Sequence, residues 1–457
     1  MPTVAEALAE YAAGEQTAPL SGEVRHHAKR ALIDWFAALL PGALLPPATL
    51  LAQGLADELG HGQAIVYGSP GRRASLRAAA LINATASHTI EFDDIFRDAV
   101  YHPGCPVIGA SLAAAQARGA DGEALLRAIV VGYEVSTRIG VAVQPSHYKF
   151  WHTTGTIGTF GAAAGVATVL KLDAGRTAHA LATAGTFAAA LQQAFRSDAM
   201  SKPLHAGHAA DAGAMAALGA AHGVTGALDV LEGAAGFGAA MSENPDWSRA
   251  TEALGSRYNI TRMTFKNHGC CGHCFAAIDG ALALQAAHAI APEAIERITI
   301  GGYRATVEVT GRKSVATPFE GRFSTPYTVA TALVHGNVRI DAFTPPRLAD
   351  PAVQALMQRV DVVIDPQCAA DFPARRSARI TFRLRDGTEL HHYQATRRGD
   401  PDAPLSDGEL TDKFFELAAP AVGQAAAATL LERLWKLDTL ADVRFPATAA
   451  AHMVAAS

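Results

Sequence analysis

The stretch FKNHGCCGHCFAAIDG, residues 265–280, holds three of the chain's five cysteines together with two histidines and a lysine. Such a group could ligate a metal, hold an iron–sulfur cluster, or serve one lysine while the thiols pack. Adjacent Cys270 and Cys271 cannot easily grip one ion together, and Cys271 with Cys274 offers a single C-x-x-C spacing. A zinc ribbon needs a second such pair, and there is none. A cluster would need a third thiolate from Cys270, Cys105 or Cys368, none at a suitable spacing. Small apolar thiols commonly pack in cores. Lys266 is different, because a cation beside a small apolar turn is costly unless an anion arrives. The expectation is a functional Lys266, packing cysteines and no metal, with metal binding as the alternative.

Four other stretches concentrate ionisable groups among Ala/Gly-rich helices. In HTIEFDDIFRDAVYHPG, Glu91, Asp93 and Asp94 close a helix and His102 follows in a loop. Carboxylates at a helix C-terminus oppose the macrodipole, so Glu91, Asp93 and His102 read as functional, while Asp98 reads as part of a solvated turn. In HYKFWHTTGTIGTFG, His152 precedes a Gly/Thr-rich helix start whose open N–H groups suit a carboxylate. In SKPLHAGHAADAG, Lys202 opens an apolar helix, which calls for an anion. His205 and His208 have His-x-x-His spacing there but lack an obvious third metal ligand. In GRFSTPYTVATAL, Arg322 or Tyr327 could reach a ligand, and an ordinary helix start after Ser324 reads equally well. The combined set of lysines, histidines and carboxylates suits a small, multiply negative substrate and acid/base work at a carbon next to a carboxylate. Signatures of a serine-nucleophile elbow, a phosphate loop and a dinucleotide fold are absent.

These groups need a scaffold, and 457 residues imply more than one core. The composition is 49% hydrophobic and only 18% charged, rich in Ala and Gly, which suits closely packed helices and a surface buried against another subunit. A net charge of −5 without any basic block argues against nucleic acid and anionic membranes. The N-terminus reads as an ordinary helix and not a signal peptide, and a reducing cytoplasm is the expected compartment. The uncharged run at residues 153–170 reads as a buried core helix instead of a membrane span.

The expected fold is mostly α: a large all-helical domain at 1–259, a smaller α+β domain inserted at 260–396, and C-terminal helices at 397–457 returning to the first. AIVYGSP is the one strand expected early. YNITRMTF, IERITIGGYRATVEVTG, VDVVIDP and ARITFRLRDGTELHHYQAT read as strands, the last with an Asp386-Gly387 hairpin turn. Ser21 is expected to cap a helix, and Ser406 with Glu409 to form a capping box.

The ordered series HTIEFDD…HPG, FWHTTGTIGTFGAAAGVA, SKPLHAGHAADAG, VLEGAAGFGAA, FKNHGCCGHCFAAID, RFSTPYTVATAL and RGDPDAPLSDGEL resembles the MmgE/PrpD family over almost the whole chain. That family includes 2-methylcitrate dehydratase, cis-aconitate decarboxylase and iminodisuccinate epimerase. The resemblance implies a helical domain plus an α+β domain, a homodimer, and a cofactor-independent site at the domain junction. Carried over, it implicates Glu91, Asp93, Asp94, His102, His152, Lys202, Lys266 and Tyr327. His152, Lys266, Asp93, Glu91, His102 and Tyr327 would then be catalytic. Lys202, Asp94, His268, His273 and Arg322 would contact a small polycarboxylate. Three departures bear on the substrate: Glu91 where many members have Asp, Ile95 where the decarboxylase has Thr, and His268 where a tyrosine is usual. The expected activity is a dehydratase-type lyase. Decarboxylation and epimerisation are the nearest alternatives, and an iron–sulfur hydratase or a non-catalytic polycarboxylate-binding protein the more distant ones.

Overall fold

The computed structural model describes residues 2–68, 72–195, 197 and 199–446. The chain divides into two compact units, Met1–Met263 with Ser406–Ser457, and Thr264–Leu405. The first is built on helices α1 (Gly22–Gly42), α2 (Leu76–Thr89), α3 (Gly104–Arg118), α4 (Gly122–Val143), α5 (Thr153–Val169) and α6 (Ser201–Ala221). Ser21 does cap α1, accepting from Val24 N. Helix α5 is the uncharged run, and every one of its residues is buried. Among the described residues no helix is long and apolar enough to cross a membrane. Burying so many threonines is tolerable because their hydroxyls return to the helix's own carbonyls, as Thr159 Oγ1 does to Gly155 O at 2.9 Å. Small residues bring neighbouring helices close: a Cβ on Gly213 of α6 would sit 2.5 Å from the Thr159 carbonyl oxygen. The unit is not wholly helical, since β1 (Leu59–Val66), which holds Ala64–Val66 of AIVYGSP, pairs antiparallel with β2 (Arg72–Ala74); Ser69 and Pro70 of that expected strand lie outside the described residues.

The second unit is an α+β layer. Its sheet has the order β4-β3-β5-β6, from β3 (Ile295–Gly302), β4 (Val360–Ile364), β5 (Ala378–Leu384) and β6 (Glu389–Gln394). Strand β3 runs parallel to β4 and antiparallel to β5. The Asp386-Gly387 turn closes β5 onto β6 as expected, with Gly387 at φ 89°. Alternate residues Ala378, Ile380, Phe382 and Leu384 are buried, and they join a core with Phe275 and Ile278 of α7 (Phe275–His288) and Val329 of α8 (Thr325–His335).

Helices α9 (Asp407–Val422) and α10 (Gln424–Trp435) belong to the first unit. Ser406 and Glu409 form the expected capping box.

Three local expectations are corrected. YNITRMTF is not a strand: Asn259–Arg262 form a 3₁₀ turn, because Glu134 accepts from Ile260 N at 3.0 Å and Thr137 from Asn259 Nδ2 at 3.1 Å. The alternation in YRATVEVTG belongs to a helix, Arg304–Thr310, following β3. The boundaries at 259/260 and 396/397 move to 263/264 and 405/406, because the turn after residue 396 bonds back to the start of the second unit. There Gly399 O accepts from Phe265 N at 3.0 Å and Asp400 accepts from Thr264 Oγ1.

Candidate active site

In the first unit, α2 ends at Thr89 and the chain reverses through Glu91, which has φ 61°. The acidic residues therefore lie beyond the helix rather than closing it. A left-handed glutamate costs about 1–3 kcal/mol and needs surrounding contacts to hold it. Lys202, at the start of α6, supplies one by pairing with the Glu91 carboxylate, and both groups are buried. The misplaced lysine and the misplaced carboxylate thus answer each other. The Phe195 ring lies 5.5 Å from Lys202 Nζ.

Asp93 is buried and gathers three donors. Its Oδ2 lies 2.8 Å from His88 Nδ1, 2.9 Å from His102 Nδ1 and 3.3 Å from Cys105 Sγ. His102 Nδ1 is also 2.8 Å from the Asp94 carbonyl oxygen. A ring nitrogen facing two oxygens carries the proton, so the tautomer of His102 is set with Nδ1–H donating. Asp94 turns away from these rings. Its carboxylate accepts from Gly104 N at 2.9 Å and from the Tyr133 hydroxyl at 2.7 Å, and its role in this geometry is to anchor the start of α3. Burial, with Asp34 nearby, pushes its pKa up to about 8.

His152 is the residue before α5, with its backbone N–H bonded to Ala190 O at 3.1 Å. Its Nδ1 lies 3.0 Å from Nδ1 of His205 on α6. Burial and neighbouring cations hold His152 well below the ordinary histidine range, and burial brings His205 down to about 4. Both rings are therefore neutral at pH 7, and one proton serves the shared bond. The His88 ring stacks on His152 with centroids 5.5 Å apart, and His102 lies 5.0 Å from His88 and 6.5 Å from His152. His88 Nε2 is buried and has no hydrogen-bond partner among the described residues.

The structure thus brings Glu91, Asp93, His102, His152 and Lys202 into one cluster and adds His88 and His205, which sequence reasoning did not select. His205 was visible only as half of a His-x-x-His pair. His208 instead bonds the Phe187 carbonyl at 3.0 Å, so that pair does not converge. A signal for His88 was its place one helical turn before the acidic run. Asp98 lies at a half-exposed turn, as expected, and pairs with Arg262 at 3.1 Å. The ligand-type group that does converge among the described residues is His88, Asp93 and Cys105, with donor atoms within 4.8 Å. The thiols of residues 270–274 form no such group there.

In the second unit, Lys266 is fully buried between segments that Gly399 and Asp400 hold in place. Gly399 has φ 95°, and a Cβ there would lie 2.0 Å from Phe265 O, so only glycine permits this approach. The Arg397 guanidinium is gripped by Asp400 at 2.6 and 2.9 Å and reaches Gly272 O at 2.9 Å, bracing the KNHGCCGHC turn. His268 Nε2 lies 2.8 Å from Asp279, and both line an open cavity of about 440 Å³ with Arg339, Arg398, Asn267 and Gln394. His273 Nδ1 lies 2.7 Å from the Tyr303 hydroxyl, and burial with Arg376 and Arg397 nearby holds its pKa well down. Cys270 and Cys274 sit in the core with no exposure, and burial pushes the Cys270 thiol up. Tyr327 is also fully buried, its hydroxyl donating to Ala342 O. Arg322 accepts from Cys271 N through its carbonyl at 2.8 Å, and its guanidinium lies 5.1 Å from the Phe343 ring.

Family models match both parts of the chain. The model of the MmgE/PrpD N-terminal domain matches residues 6–250, and that of the C-terminal domain matches residues 268–437. The chain belongs to the MmgE/PrpD family. Its relatives include the cis-aconitate decarboxylase-like protein oryM of Aspergillus oryzae (strain ATCC 42149 / RIB 40), 28% identical over 452 residues, covering 93% of this chain and 92% of the relative. Cis-aconitate decarboxylase of Mus musculus is 28% identical over 393 residues, covering 82% and 79%. That of Homo sapiens is 26% identical over 453 residues, covering 96% and 93%. As a member of this family the chain is related to lyases over nearly its whole length.

Proposed function

We propose that this protein is a cofactor-independent lyase that removes a proton next to a carboxylate of a small di- or tricarboxylic acid, with dehydration as its overall reaction. The observation that carries this reading is the pairing of a neutral His152 with two histidines oriented by Asp93. A neutral imidazole keeps a lone pair at pH 7, which a general base requires. His102, with Nδ1–H committed to Asp93 and the Asp94 carbonyl, presents Nε2, which does acid work when the ring is the imidazolium that the Asp93 carboxylate faces. Lys202 supplies a buried cation, for which a substrate carboxylate would compete with Glu91. In dehydration the C–H proton passes to neutral His152, the bond to the hydroxyl breaks, and His102, starting as imidazolium, gives its Nε2 proton to the departing oxygen and ends neutral, with water as product.

Decarboxylation is the second reading, and the names of the relatives favour it. The carboxylate then leaves as carbon dioxide, and the electron pair left on carbon takes the Nε2 proton of His102 in its imidazolium form. Ile95, buried and aliphatic where the decarboxylase is expected to carry threonine, counts against this second reading.

The test is proton NMR in D₂O of chelator-treated protein with 2-methylcitrate, citrate, cis-aconitate and small amino or imino diacids. Loss of water from one of them, abolished by His152→Ala in a folded variant, is expected. Loss of carbon dioxide would select the second reading. Full activity in His152→Ala, or activity only after added iron or zinc, would overturn the proposed chemistry.

A further inference from the structure

We propose that Lys413, from the returning helix α9, is a positioning residue that sets the acidic turn 91–94 from behind. Its Nζ lies 2.6 Å from Asp34 Oδ1 on α1 and 2.8 Å from the Phe92 carbonyl oxygen, and 5.5 Å from the Phe92 ring centroid. Lys413, Asp34 and Phe92 are all buried. Phe92 sits between left-handed Glu91 and Asp93, so fixing its carbonyl orients the peptide that carries Asp93. Each residue of the turn is then tethered: Glu91 by Lys202, Phe92 by Lys413, Asp93 by His88 and His102, and Asp94 by Gly104 and Tyr133.

A buried ion pair is a poor stabilising device, because apolar side chains of similar volume usually serve as well. What an apolar pair could not supply is a donor aimed at one carbonyl. That donor matters because an error of about 1 Å in a catalytic group costs on the order of a hundredfold in rate. The inference rests on the proposed catalytic role of this cluster, and its test separates the two.

Two double variants divide packing from donation. Asp34→Leu/Lys413→Met replaces the pair with apolar groups. It is expected to keep a Tm near the wild type while kcat falls about a hundredfold and KM changes less than about threefold. Asp34→Asn/Lys413→Gln keeps a neutral donor for Phe92 O and is expected to retain activity within about tenfold of the wild type. Imidazole ¹⁵N spectra of His88 and His102 give a readout independent of turnover, and they should change in the first variant and not in the second. If the wild type turns over no polycarboxylate, the functional reading fails while these spectra still decide the positioning role. Unchanged spectra and kcat in the apolar variant would overturn the proposal. If that variant does not fold, activity or spectra of the donor-retaining variant far from the wild type would do so.

Discussion

His88 and His102 direct their Nδ1 atoms at the same oxygen, Oδ2 of Asp93, at 2.8 and 2.9 Å. One carboxylate thereby sets the orientation of two imidazoles whose rings are 5.0 Å apart. It can accept from both without moving a proton.

Replacing Asp93 by Asn removes the negative charge that both imidazoles face while leaving one amide oxygen able to accept from them. Asp93→Asn is expected to lower kcat by a factor of about 10² to 10⁴, with KM much less affected. Steady-state kinetics check this, with circular dichroism to establish that the variant is folded. Wild-type kcat would show that the shared oxygen is not used.

The pH dependence of stability has two opposing parts. His205 is brought down to about 4, so below pH 6.5 the unfolded chain takes a proton that the folded chain refuses. Its contribution is complete above pH 6.5 and is lost as pH falls toward 4, at up to about 1.4 kcal/mol per pH unit. Asp94, raised to about 8, works the other way: the folded chain holds a proton that the unfolded chain releases near pH 4, so stability falls as pH rises from 4 to 8. Denaturant unfolding of His205→Gln is expected to show a smaller loss than the wild type between pH 6.5 and 4. The stability of Asp94→Asn relative to the wild type should improve as pH rises from 4 to 8. Parallel curves for wild type and variant would refute either assignment.

Gly399 and Lys266 give a prediction for the second unit. Gly399→Ala forces a methyl group toward Phe265 O from a left-handed backbone and should cost about 2–4 kcal/mol. Lys266→Met is expected to abolish turnover while Tm changes by only a few degrees. Thermal unfolding and the D₂O assay on both variants check this; a fully active Lys266→Met protein would remove that lysine from the chemistry.

Much of this was legible in the order of residues. Helices α2 to α6 follow from their apolar composition and spacing, and the β5–β6 hairpin from Asp386-Gly387, because these signals act over a few residues. Lys202 and the acidic run stood out because each is in the wrong place for an isolated helix. YNITRMTF misled because β-branched alternation records a tendency, and side chains from α4 took the backbone N–H of Ile260 and capped the alternative.

Sequence alone therefore determined the family motifs, the helical scaffold and most of the residues available for chemistry, since each is a local property of type and spacing. Tertiary structure decided which of them meet. It joined Glu91 to Lys202 across 111 residues, set His152 against His205, placed His88 and His102 on one oxygen, and brought Lys413 from the C-terminal helices to the Phe92 carbonyl. It also turned Asp94 toward Gly104 and Tyr133 and buried Tyr327 against Ala342. Spacing along the chain carries no information about such encounters. They follow from burial, which leaves each polar group to find its partner among whatever the packing brings within about 3 Å.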